Sequence, residues 1–489
     1  MKYTCDKGLN FQDCELAILR HAVDNAETIK KKQQVNTPEV KKILDIVETF
    51  IRKEKVVCYG GTAINNILPK DVQFYDYSIE IPDYDFFSST PVKHAKQLAD
   101  IYYAAGYLDV EAKAGVHFGT YKVFVNFIPV ADITLLPSSL FESIYRESIV
   151  IDKIHYAPVN FLRMSMYLEL SRPHGDTSRW EKVLKRLTLL NKHYLIEDVA
   201  CDLKKFQRTL HSNSYDIQRT FTLIRDEFIR DGVIFFGGYA TYMYSRYMPN
   251  KIAKLFSQTP DFDVISEEPE KTASVIVSKL KTSGYKRVRY VKHDCIHEIV
   301  PLHYEIRIES DTVAFIYEPL GCHNYNKVRI GNTVARIATI DTMLSFYLAF
   351  IYVNRPYYDP NRIVCIANFL YGVQQYNRLS QKGVLKRFGL DCKGNQSTLE
   401  TIRGEKSAKF NELKKGSKEY EEWFLKYSPV TLATNKETKQ TKSTIKTRMR
   451  NSKLQTKKGK RQESKRYPNK GYHSRYHFCE YKRRCESIY

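Results

Sequence analysis

Two stretches of this chain set a double glycine ahead of a pair of closely spaced carboxylates. The first runs Val56-Val57-Cys58-Tyr59-Gly60-Gly61-Thr62 and then Pro82-Asp83-Tyr84-Asp85-Phe86-Phe87-Ser88. Side chains at i and i+2 of a strand face the same way, so Asp83 and Asp85 project together. Paired carboxylates offer hard oxygen ligands to a divalent cation, with water and substrate phosphates completing the shell of Mg²⁺. A third carboxylate, Asp132, comes from Val130-Ala131-Asp132-Ile133-Thr134, an apolar strand where an unpaired charge is costly. Three such groups suit a two-ion centre that steadies an attacking hydroxyl and a leaving pyrophosphate. Gly60 and Gly61 lack Cβ atoms, so backbone N–H groups can approach phosphate at a strand-to-helix junction, and Thr62 adds a hydroxyl.

The second stretch runs Val233-Ile234-Phe235-Phe236-Gly237-Gly238-Tyr239 and then Pro260-Asp261-Phe262-Asp263-Val264-Ile265-Ser266. First glycine to first aspartate spans 23 positions in one copy and 24 in the other. The copies are offset by 177 at the glycines, 178 at the aspartates and 183 at the Arg172-Pro173 and Arg355-Pro356 pairs. A whole unit has therefore been duplicated. Copy two replaces Thr62 by Tyr239. Its candidate third carboxylate is Glu305 of His303-Tyr304-Glu305-Ile306-Arg307, where Arg307 on the same face would neutralise the site. A phenol at the phosphate turn and a cation beside the metal position both argue against catalysis. Copy two therefore reads as non-catalytic.

These residues must be carried by a mixed α/β palm. Thr37-Pro38-Glu39 starts a helix with a capping hydroxyl, Pro at N1 and an acid in the first turn. That helix leads into a strand over 55–59, the glycine turn, a short helix over 63–68, and the Asp-Tyr-Asp strand. A helix over 92–105 and strands over 120–127 and 130–135 complete the palm. The expected divisions are an N-terminal helical region over 1–54, the first palm over 55–150 and a helical middle region over 151–230. A second palm over 231–335, a helical region over 336–427 and a basic, largely disordered tail over 428–489 follow. Met343 to Val353 is apolar but too short to span a bilayer, and reads as a buried helix. No N-terminal targeting segment is visible.

The chain has 489 residues and a formal net charge of +22. From Thr431 to Tyr489 there are 18 Lys or Arg against four Glu, a net of +14 that leaves +8 for the rest. Such an excess suits a phosphate-rich polymer, and a small acceptor would gain nothing from it. The ten cysteines include no Cys-x-x-Cys pair, so reduced thiols are expected. His473, His477, Cys479 and Cys485 carry zinc-type ligands, but their spacing matches no standard finger. Arg172 and Arg179 are placed either for phosphate contacts or for pairing within the helical region.

Gly60-Gly61-Thr62, the Pro82–Ser88 segment and Ala131-Asp132-Ile133-Thr134 together resemble the signature of the polymerase-β-like nucleotidyltransferase superfamily. The order of motifs, the duplicated palm and the Leu162-Arg163…Tyr167…Glu169-Leu170…Arg172-Pro173 helix resemble poly(A) polymerase catalytic subunits of large cytoplasmic DNA viruses. The resemblance covers about residues 40 to 370. It implies template-independent transfer of AMP from ATP to an RNA 3′ end, with two Mg²⁺ or Mn²⁺ ions, in viral mRNA maturation. Asp83 and Asp85 would bind both ions, Asp132 the ion that activates the 3′-hydroxyl, and Gly60, Gly61 and Thr62 the triphosphate. The second palm of that family is non-catalytic, matching a degenerate site at Gly237, Gly238, Asp261, Asp263 and Glu305. The implied setting is the viral factory of the host cytoplasm, or the virion, without a membrane; the tail, the second palm, a homodimer or a separate partner could each hold RNA. Two alternatives stay open: a nucleotidyltransferase using another nucleotide or acceptor, such as CCA addition, uridylylation or a small molecule, and an inactive RNA-binding scaffold.

Overall fold

The computed structural model describes residues 10–35, 37–78, 80–196, 201, 208, 215–378 and 380–430. The basic tail and the His473–Cys485 ligands lie outside them. Thr37 caps the helix Pro38–Lys53, its hydroxyl accepting from the Val40 N–H at 3.3 Å. Val40, Ile43, Val47, Phe50 and Ile51 recur at helical spacing and are all buried, fixing this helix against the first sheet.

That sheet contains β1 (Val57–Cys58), β2 (Tyr84–Ser88), β3 (Val110–Ala114), β4 (Thr120–Val125), β5 (Ile128–Leu135), β6 (Ile149–Ile151) and β7 (Ile154–Tyr156). The second contains β8 (Ile234–Phe235), β9 (Phe262–Ile265), β10 (Val288–His293), β11 (His303–Ile308), β12 (Asp311–Tyr317), β13 (His323–Ile330), β14 (Thr333–Ala338) and β15 (Cys392–Lys393). A final strand, β16 (Lys426–Tyr427), returns to β3. The orders are β16-β3-β4-β5-β2-β1-β7-β6 and β10-β11-β12-β9-β8-β14-β13-β15. Apart from the added edge strands β16 and β15, the two sheets have one topology. In both, the aspartate strand runs antiparallel to the strand before the glycines and parallel to the strand on its other side.

Duplication extends to a detail that the motifs did not reveal. The Ser88 hydroxyl meets His94 Nδ1 at 2.8 Å, and His94 Nε2 lies 3.8 Å from Glu54. At the matching places Ser266 meets Thr272 at 2.8 Å, and Thr272 donates to Asp231 at 2.5 Å. Ser88 is wholly buried, and its oxygen accepts from the Thr90 N–H as Ser266 accepts from Glu268. Both networks seat the helix after the aspartate strand, and neither serine reaches solvent to act as a nucleophile.

The helices after each palm pack on one another. Val159–Leu170 lies against Ile340–Phe350, every residue of which is buried. Asp341, inside that helix, is held by Arg387 through two hydrogen bonds of 2.5 and 2.9 Å. Residues up to Tyr427 accordingly form one compact unit. The thiol expectation needs correction. Cys201–Cys365 and Cys322–Cys392 are disulfides across sequence separations of 164 and 70, with Cα atoms 5.5 and 5.3 Å apart. Linear spacing cannot register pairs that only the fold brings to bonding distance. Among the described residues no helix is long and apolar enough to cross a membrane.

Candidate functional site

In the first palm, register brings the carboxylates together. Asp85 on β2 sits directly opposite Asp132 on the parallel strand β5, and Asp83 precedes Asp85 by two residues. The field there is negative enough to move protons. Burial, then the neighbouring charges of Asp83 and Asp132, pushes the Asp85 carboxyl up to about 7. Burial and Asp132 raise Asp83 as well. Lys122 on β4 is paired in register with Asp132, and its ammonium donates to that carboxylate. Sequence reading missed Lys122. The signal was available, since the β4–β5 hairpin sets a lysine opposite the third aspartate.

The donor set fits Mg²⁺ or Mn²⁺: carboxylate oxygens only, on two adjacent strands, carrying unbalanced negative charge. Among the described residues, the group whose ligand atoms already lie within 4.8 Å of one another is elsewhere: His174, Cys322 and Cys392, whose sulfurs are bonded to each other.

The glycine turn is tied to this cluster. Gly60 has φ +74°, and a Cβ there would lie 2.5 Å from Asp85 Oδ2. The helix Gly60–Ile67 begins at this residue, so its first N–H groups lack partners within the helix. Thr62 differs from expectation. It is buried, and its hydroxyl donates to the Asp83 carbonyl at 2.7 Å. Its proton therefore pins the turn to the strand instead of pointing at a ligand. A donor that the sequence did not single out stands beside Gly61. Arg186, on the helix Trp180–His193, lies 4.9 Å from the Phe74 ring centre and donates to the Tyr75 hydroxyl at 2.8 Å. A Cβ on Gly61 would come within 2.9 Å of Arg186 Nη1.

Arg172 and Arg179 divide between the two readings. Arg172 is turned against Gly321, and burial lowers it to about 10. Arg179 pairs with Glu169 at 3.1 Å and is close enough to Asp85 to favour its charged form. A cleft of about 310 Å³ opens beside Asp83, lined by Ile81, Pro82, Phe127, Ile128 and Pro129. Phe127 is 86% exposed at the β4–β5 turn. A larger cavity of about 410 Å³ lies among the helices that follow the palms and contains none of the aspartates.

The second palm corrects the choice of Glu305. Asp263 on β9 sits opposite Phe315 on β12, so Phe315 occupies the position of Asp132. Glu305 on β11 pairs with Phe315 and so corresponds to Lys122. It is tied to Arg307 at 2.7 Å, to His293 at 2.9 Å and to the Thr312 hydroxyl. Its neighbourhood in sequence resembled the third strand, but register displaced it by one strand. The pair Asp261 and Asp263 is instead met by Arg208, whose Nε donates to Asp261 at 2.5 Å and whose Nη2 donates to Asp263 at 2.6 Å. Burial raises Asp261 to about 6 against the pull of that guanidinium, and both carboxylates favour the charged form of the half-buried Arg208. Tyr239 is buried among Phe221, Phe235 and Phe262. Gly237 still lies against Asp263, where a Cβ would collide with the aspartate side chain, and Gly238 lies against Asp261.

Residues 45–176 match the family model described as poly(A) polymerase catalytic subunit, the stretch that carries Gly60, Asp83, Asp85 and Asp132. A protein of Acanthamoeba polyphaga mimivirus named "Putative poly(A) polymerase catalytic subunit" is 34% identical over 198 residues, 40% of this chain and 32% of that protein. The African swine fever virus protein of the same name (isolate Pig/Kenya/KEN-50/1950) is 31% identical over 181 residues, 36% of this chain and 38% of that one. The matched stretches thus span about a third of the length of these relatives. The crystal structure of the Megavirus polyadenylate synthase shares the fold, with a TM-score of 0.73 at 21% identity over 91% of this chain and 92% of that one.

Proposed function

We propose that this chain is a viral poly(A) polymerase catalytic subunit, adding AMP from ATP to RNA 3′ ends without a template, with release of pyrophosphate. The observation that carries this reading is the register of Asp85 opposite Asp132, with Asp83 just ahead of the same strand, inside the stretch matched by the family model.

Asp83, Asp85 and Asp132 would hold two divalent cations, whose charge would activate the 3′-hydroxyl and steady the leaving pyrophosphate. The chain's own residues position the reactants. Helix N–H groups at Gly60 and Gly61, with Arg186 beside them, suit the triphosphate. Lys122, paired with Asp132, adds a positive charge beside the aspartates that suits a substrate phosphate. The cleft at Pro82, Phe127 and Pro129 suits the base of the RNA 3′ end, the exposed ring giving a stacking face. No covalent enzyme intermediate is required, because positioning and charge stabilisation suffice. The basic tail suits RNA holding, and the host cytoplasm suits a viral enzyme of this kind.

The test supplies purified protein with a 5′-labelled RNA oligonucleotide, Mg²⁺ or Mn²⁺, and each NTP separately. A ladder with ATP, lost in Asp83→Ala plus Asp85→Ala, supports the proposal. A ladder with another nucleotide would transfer the reading to a different nucleotidyltransferase. No extension with any NTP would sink RNA polymerisation.

A further inference from the structure

The persistence of Asp261 and Asp263 needs a reason that catalysis does not supply. Their carboxylates are buried beneath an arginine whose side chain is 23% exposed. Asp261 is 2% and Asp263 9% exposed. The Asp261 N–H donates to the Arg208 carbonyl at 3.0 Å. The Arg208 guanidinium spans both carboxylates at 2.5 and 2.6 Å, and its centre lies 4.7 Å from the Phe315 ring centre.

We propose that the second palm is a guanidinium receptor, in which Asp261, Asp263 and Phe315 bind the side chain of Arg208 where the first palm is built to take cations from solution. A divalent cation demands further oxygen ligands and retained water. Phe315 supplies neither. A planar guanidinium is weakly hydrated, forks across two carboxylates and favours an aromatic face. The one substitution that removes the third metal ligand thus supplies the missing wall for an arginine. Glu305 cannot restore the lost ligand, since Arg307, His293 and Thr312 engage it. The aspartates instead hold the chain's own Arg208, which lies between the palms in sequence. The inference rests on the second palm alone and would survive failure of the polymerase reading.

The experiment follows thermal unfolding of the full chain. Arg208→Ala should melt below wild type and regain part of the loss, saturably, with millimolar methylguanidinium. Methylammonium at equal ionic strength should restore nothing. Adding Asp261→Asn and Asp263→Asn should abolish the rescue. If Arg208→Ala does not fold, the triple variant is read instead. It should melt above Asp261→Asn plus Asp263→Asn, because it leaves no buried charge unpaired. Equal melting of wild type and Arg208→Ala, equal rescue by both cations, or a triple variant no better than the aspartate pair would overturn the proposal. So would Mn²⁺ binding by Asp83→Ala plus Asp85→Ala that disappears when Asp261 and Asp263 are also replaced by Asn.

Discussion

Replacing Asp85 by Asn should make the metal-free protein more stable while removing its activity. In the folded chain the Asp85 carboxyl moves from an ordinary 3.8 to about 7, through burial and then the charges of Asp83 and Asp132. A raised carboxyl contributes full stability below its unfolded pKa and loses that stability as pH rises through the folded one. The displacement, at about 1.4 kcal/mol per tenfold change in proton affinity, withholds about 4 kcal/mol from wild type near pH 8. The substituted amide carries no charge at any pH, so Asp85→Asn should recover much of that amount. Urea unfolding in EDTA near pH 8 measures it, and the advantage should shrink steadily as pH falls from about 7 toward 4. Added Mg²⁺ should stabilise wild type more than the variant, because cation charge replaces the missing protons. A variant no more stable than wild type near pH 8, or a gap indifferent to pH, would refute the argument. The site would then not be a strained cluster of like charges.

Other outcomes follow from the same geometry. Gly60→Ala forces a side chain onto φ +74° and against Asp85 Oδ2, and should lose most RNA extension. Gly61→Ala meets only the ends of Tyr75 and Arg186, and should mainly raise KM for ATP in the same assay. The proposed contact of Arg186 with the triphosphate would be a charge-assisted hydrogen bond worth about 1.5–3 kcal/mol, so Arg186→Ala should raise KM for ATP roughly 10- to 100-fold. Steady-state kinetics would expose the alternative, a change in folding with KM intact. Phe127→Ala should weaken RNA and spare ATP, since one stacked base is worth about 1–3 kcal/mol; equal effects on both substrates would dismiss the stacking face.

The sequence alone determined the repeated chemistry. Gly60, Gly61, Asp83 and Asp85 recur as Gly237, Gly238, Asp261 and Asp263 because local period and turn geometry are written in consecutive residues. The helix start at Thr37 was legible from its cap, and Asp85 was legible as a strand residue, with β2 beginning one residue after Asp83. What the tertiary structure decided was partnership across the sheet and across the chain. Glu305 and Phe315 are ten residues apart, and only the register of β11, β12 and β9 reveals which of them faces Asp263. The Thr62 hydroxyl turns to a carbonyl 21 residues away, Arg186 reaches Tyr75 across 111, and Arg208 reaches Asp261 across 53. The disulfides close separations of 164 and 70. Local patterns fix where a side chain points relative to its own element, whereas burial and long-range packing choose what it meets.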